Sequence, residues 1–161
     1  MIIPQENNKE SLKQREIIIS QKYRQWVESN PDKCVYNHSL KDFINIRYLS
    51  ITETMRHAAK TYLSTLAMDQ LDTILRHSVK YGKPTPPKKG VKNQATFKQM
   101  QEMRCNLDGV GPIKMMVGVK RTGEKILYCI TAIGEKKRNQ QVGSPEGSSP
   151  NCGRLKRTVP L

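Results

Sequence analysis

Acidic side chains are scarce in this sequence: 14 Asp and Glu stand against 28 Lys and Arg in 161 residues, a formal charge of +14. No strand-like segment gathers carboxylates, so a two-metal nuclease centre is excluded. No stretch approaches the roughly 20 apolar residues of a membrane helix. The first residues carry no basic region, apolar run or cleavage site. Cysteine is sparse and scattered, at Cys34, Cys105, Cys129 and Cys152, with no CxxC pair and no His at finger spacing, so no zinc site or other metal site is expected. Reduced thiols in a cytoplasmic setting are the plain reading. Phosphate-binding GxxxxGK[ST] loops and Gly-rich dinucleotide turns are missing as well, and no cofactor is expected.

What is present is charge of one sign. Such an excess favours polyanions, either nucleic acid or an acidic protein surface. The chain divides into a helical leader over 1–39, a compact part over 40–133 and a basic tail over 134–161. In the leader Ile19, Tyr23, Trp26 and Val27 recur at helical spacing until Ser29-Asn30-Pro31 stops the pattern. The tail has no apolar periodicity, and its composition predicts disorder.

Within 40–133, residues 42–49 partly alternate and suit a strand. The segment 50–60 then starts a helix, with Ser50 and Glu53 at capping-box spacing. It carries Thr54, His57 and Lys60, which places an imidazole, a cation and a hydroxyl in one neighbourhood. Leu66, Leu71, Ile74, Leu75 and Val79 form an amphipathic stripe closed by Gly82, predicting one long helix. Residues 83–98 hold five lysines and no acid. They read as either a solvated linker or a phosphate-contacting loop through Lys83, Lys88, Lys89 and Lys92.

The strands come last. Met103, Cys105 and Leu107 alternate, and residues 113–120 and 125–132 make a hairpin around Thr122-Gly123. A two-residue loop pairs Val119 with Ile126, Val117 with Tyr128 and Met115 with Ile130 on the core face. On the other face it pairs Gly118 with Leu127, Met116 with Cys129 and Lys114 with Thr131. Lys114 beside Thr131 is a reasonable phosphate site. The same register sets Lys120 against Lys125, an unfavourable pair that one residue of slippage would relieve. The expected fold is α+β: two helices on an antiparallel sheet of about four strands, with a helical leader and a disordered basic tail.

The order of helix with His57, long helix, basic connector and antiparallel strands ending in Thr131 resembles phage and mobile-element nuclease domains of the barnase–EndoU–colicin–RelE fold. The likeness spans roughly residues 40–133. It implies metal-independent, toxin-like RNA cleavage through attack of a ribose 2′-hydroxyl on the adjacent phosphate. His57 and Lys60 match the helix residues, Lys120 or Arg121 the basic strand position, and Thr131 the polar residue of the last strand. The segments expected as strands, 42–49, 103–107, 113–120 and 125–132, supply no second His or Glu as an acid–base partner. RNA is the implied partner, DNA the next, and an acidic immunity or antitoxin protein a third. A non-catalytic nucleic-acid-binding module and an interaction domain for an acidic protein are the alternatives from other classes.

Overall fold

A computed structural model describes residues 2–133. The expected tail, with Cys152, lies outside the described residues. Helix α1 (Lys9–Ser29) starts where the Asn8 side chain accepts from Ser11 N at 2.8 Å. This satisfies one of the amides a helix start leaves unpaired. Its Ile19, Tyr23 and Trp26 enter the main core, as their spacing predicts. The leader is therefore packed on the same core as the rest.

Two short strands follow, β1 (Cys34–Asn37) and β2 (Asp42–Asn45), paired antiparallel. The strand expected over 42–49 stops at Asn45, because helix α2 (Tyr48–Ala58) begins earlier than its supposed cap. Ser50 sits inside the helix. Its Oγ accepts from Arg47 N at 3.0 Å and donates to Leu127 O at 2.5 Å.

The single long helix is also corrected. Helix α3 (Tyr62–Leu66), a 3₁₀ turn (Ala67–Gln70), helix α4 (Leu71–His77) and strand β3 (Val79–Lys80) take its place. Leu71, Ile74 and Leu75 are buried as the stripe requires, but Val79 is exposed. The buried Asn37 amide donates to Leu75 O (2.8 Å) and Ser78 O (3.0 Å), drawing off carbonyls at the helix end. Val79, β-branched, then pairs with Arg104.

Strands β4 (Phe97–Leu107), β5 (Gly111–Lys120) and β6 (Lys125–Ala132) complete an α+β fold with one six-stranded sheet, ordered β1-β2-β6-β5-β4-β3. The sheet is larger than the expected four strands, and it is mixed: β2 runs parallel to β6. That pairing covers only Ile44 with Lys125 and Asn45 with Ile126. Beyond it α2 and α3 lie along β6, where Leu127 O takes the Ser50 hydroxyl and Ala132 N donates to Ser64 Oγ at 2.8 Å.

The hairpin register holds for Lys114 with Thr131, Met115 with Ile130 and Met116 with Cys129. A bulge then shifts Val117 onto Leu127, Gly118 onto Ile126 and Val119 onto Lys125, leaving Tyr128 as the extra residue. Leu127 consequently joins Met115, Val117 and Ile130 in the main core. Ile126 and Tyr128, expected there, pack instead with Phe97 and Met100 on the opposite face. The slip also removes the like-charge pair at the tip. Lys120 now faces Glu124, with its amide bonded to Glu124 O at 2.9 Å and its ammonium 3.6 Å from the carboxylate. The loop is the three residues 121–123, with Gly123 at φ 92°.

Candidate active site

Helix α2 turns Ser50, Glu53, Thr54 and Ala58 inward and leaves His57 half-buried on the next turn. Glu53 and His57 are four residues apart, hence neighbours on one helical face. Glu53 is only 3% exposed. Its Oε2 accepts from Asn93 Nδ2 at 2.5 Å. Its Oε1 is buried, with His57 Nε2 3.4 Å away, and the Tyr128 phenol also acts on the carboxylate. Arg56 Nη1 lies 3.8 Å from Oε2.

Partial burial pushes the His57 imidazole below its ordinary value. The Glu53 carboxylate pulls it back up, while Lys60 and Arg56 add to the fall. The net fall favours the neutral ring, the form that can accept a proton.

Tyr128 reaches the same neighbourhood because the bulge turns it to this face. Burial raises its phenol pKa; Gln94 lowers it in part and Glu53 raises it again. The phenol thus keeps its proton through the neutral range. Gln94 is buried and its Oε1 accepts from Lys88 N at 2.8 Å. Cys129, next along β6, has its thiol pushed up to about 12, chiefly by burial, with Lys114, Glu53 and Lys88 close enough to act on it.

Of the residues marked in the sequence, Lys60 acts on His57, and Lys114 and Lys88 act on Cys129. Lys60 lies just beyond the end of α2, three residues after His57, and influences its charge. Lys114 and Thr131 stand opposite each other on β5 and β6. Thr131 is two residues from Cys129 on the same side of the strand, roughly 7 Å along it. The segment 83–96 is anchored rather than a free connector: Thr85 pairs with Met100 at 2.7 and 2.8 Å, and Asn93 reaches Glu53. It presents Lys83, Lys88, Lys89 and Lys92 to solvent.

Lys120 and Arg121 are elsewhere. They lie at the hairpin tip, where Glu124 also pairs with Arg47 at the start of α2 (2.5 Å). Six residues of extended β5 separate Lys120 from Lys114, about 20 Å. One phosphate cannot touch both.

Glu53, Asn93, Gln94 and Tyr128 are the site residues that the sequence left unmarked. The spacing of Glu53 to His57 was the available signal for the first. Among the described residues no three His, Cys, Asp or Glu converge to hold a metal ion, and no helix is long and apolar enough to cross a membrane. Compared with known family models, curated proteins and solved structures, the chain matches none, so the chemistry of the site rests on its own geometry.

Proposed function

We propose that this chain is a metal-independent endoribonuclease domain, acting on cytoplasmic RNA, with His57 as the general base and Glu53 as its orienting carboxylate. The observation that carries the reading is His57 Nε2 standing 3.4 Å from the buried Glu53 Oε1, four residues away on the same helix. A buried carboxylate oxygen needs hydrogen-bond donors, and an imidazole N–H rotated onto it supplies one. With Nε2–H turned to Glu53, His57 Nδ1 is left as the acceptor.

In the proposed reaction Nδ1 takes the proton of a ribose 2′-hydroxyl. The freed oxygen attacks the adjacent phosphorus, the bond to the 5′-oxygen breaks, and that oxygen takes a proton from solvent. The products are a 2′,3′-cyclic phosphate and a 5′-hydroxyl. Glu53 stabilises the imidazolium that forms. Lys60 and Lys114 stabilise charge on the pentacoordinate phosphate, and the Thr131 hydroxyl donates to a phosphoryl oxygen. The assignment agrees with the resemblance to the barnase–EndoU–colicin–RelE nucleases at His57, Lys60 and Thr131. It replaces Lys120 and Arg121 with Lys114.

Incubating the protein with end-labelled RNA in EDTA tests the proposal. Cyclic-phosphate ends are expected, and their yield should drop in His57→Ala by roughly 10²–10⁴-fold, the scale of one general base. Absence of cleavage by the unaltered protein would overturn it. The exposed Lys83, Lys88, Lys89 and Lys92 would then favour the second reading, a non-catalytic nucleic-acid-binding module.

A further inference from the structure

Across the same face of the sheet runs one in-register row. Val79 of β3 lies opposite Arg104 of β4, Arg104 opposite Lys114 of β5, and Lys114 opposite Thr131 of β6. Arg104 and Lys114 are like charges directly opposed, which destabilises an antiparallel pair unless an anion joins them. Glu102 answers one of the two: Arg104 Nε donates to its Oε2 at 2.5 Å. Lys114 has no ion pair among the described residues.

Beside this row stands Tyr81. Its amide donates to Glu102 O at 2.9 Å, so its backbone is fixed to β4. The Arg104 guanidinium carbon lies 3.9 Å from the ring centroid. Yet Tyr81 is 52% exposed, so the open part of the ring faces away from Arg104. An aromatic ring held by its backbone, stiffened on one side by a guanidinium and open on the other, is what base stacking on a protein requires. Arg104 is one strand spacing, roughly 5 Å, from Lys114. The ring it covers is therefore within the span of a nucleotide next to a phosphate at Lys114.

We propose that Tyr81, backed by Arg104, is a stacking subsite for a nucleobase flanking the phosphate bound by Lys114 and Thr131, and that the ligand is single-stranded RNA. The phosphate half of this statement rests on the function proposed above; the stacking half rests on Tyr81 and Arg104. A paired base has both faces covered within its own helix, so the subsite selects unpaired strands.

Binding is measured in the His57→Ala protein, so that cleavage does not interfere. The probes are a short fluorescent oligoadenylate, an abasic oligomer with the same phosphates, and an RNA duplex. Adding Tyr81→Ala should weaken oligoadenylate binding by about 5- to 150-fold, the span of one lost base–aromatic stack. Tyr81→Trp should retain it, and the abasic oligomer should bind both equally. Lys114→Gln should instead flatten the salt dependence by about 0.7 in slope, one phosphate contact to a single strand.

The proposal is overturned if Tyr81→Ala binds oligoadenylate as tightly as its parent, if it loses the abasic oligomer to the same extent, or if the parent binds no single strand or prefers the duplex. Cleavage is scored separately with His57 intact. Tyr81-dependent binding without cleavage removes the catalytic reading and leaves the subsite. Cleavage with Tyr81-independent binding does the reverse.

Discussion

Asn93 donates to Glu53 Oε2 at 2.5 Å, joining the lysine-rich segment to the helix that carries His57. Forty positions of sequence separate the two residues. The contact fixes one carboxylate oxygen and leaves the other for the imidazole.

This division of labour sets a pH signature. Glu53 raises the His57 pKa against the fall caused by burial. Glu53→Gln should therefore lower it further, and NMR titration of the His57 ring protons would show the shift whether or not the protein cuts RNA. In the cleavage assay the acid limb should move to lower pH and the plateau should fall. A His57 that titrates at the same pH in both proteins contradicts the pairing. The same depression has a stability consequence. As pH falls below the ordinary imidazole value of about 6.5, the unfolded chain takes up the proton first. The stabilising contribution, present above that value, is lost as pH falls through the lowered folded-state pKa, and His57→Gln should flatten this part of the Tm–pH curve.

Gly118 should not accept a side chain. A Cβ there would meet the Phe97 ring at 2.6 Å, inside contact distance of a buried aromatic. Gly118→Ala should cost about 1–3 kcal/mol in urea unfolding, as overpacking does. Adding Phe97→Leu should recover part of that loss, and simple additivity of the two changes would rule out the clash.

The bulge assigns neighbouring residues to different faces. Leu127→Ala, in the main core, should destabilise by about 2–5 kcal/mol. Tyr128→Phe keeps the ring and should leave stability within about 1 kcal/mol, while altering the pH profile of cleavage because the phenol adjoins Glu53. Equal destabilisation by the two changes would restore the unbulged pairing.

The lysines offer an electrostatic test. Replacing Lys83, Lys88, Lys89, Lys92 and Lys98 with Gln should flatten the slope of log K against log salt by up to about 0.7 per lysine for single-stranded RNA. An unchanged slope would assign the phosphate contacts to other cations.

Much of this was legible from periodicity alone. Ile19, Tyr23 and Trp26 announced α1, and Met115, Met116 and Lys114 announced half the hairpin register. What failed had tertiary causes. Tyr128 looks like an ordinary strand residue, and only packing against Phe97 and Met100 draws it to the other face. The helix continued past His77 on paper because nothing local to Ser78 reveals that Asn37, far upstream, claims its carbonyl. Glu53 has capping-box spacing from Ser50, but the helix starts at Tyr48, so its carboxylate is free to face His57 one turn on. The Asn93 contact had no local signal, since it depends on how the 83–96 segment folds back over α2.

The edge of β6 has a consequence for evolvability. The strand is paired with β2 for two residues and is then sealed by the hydroxyls of Ser50 and Ser64. Helix α2 is thus both the carrier of His57 and the cover over bare strand backbone. Any variant that loosens α2 to retune the imidazole also uncovers a template on which a second chain can add a strand. Changes in reactivity are thereby coupled to aggregation, and the substitutions free of that coupling are those of the exposed lysines on the outer loop, Lys83, Lys88, Lys89 and Lys92.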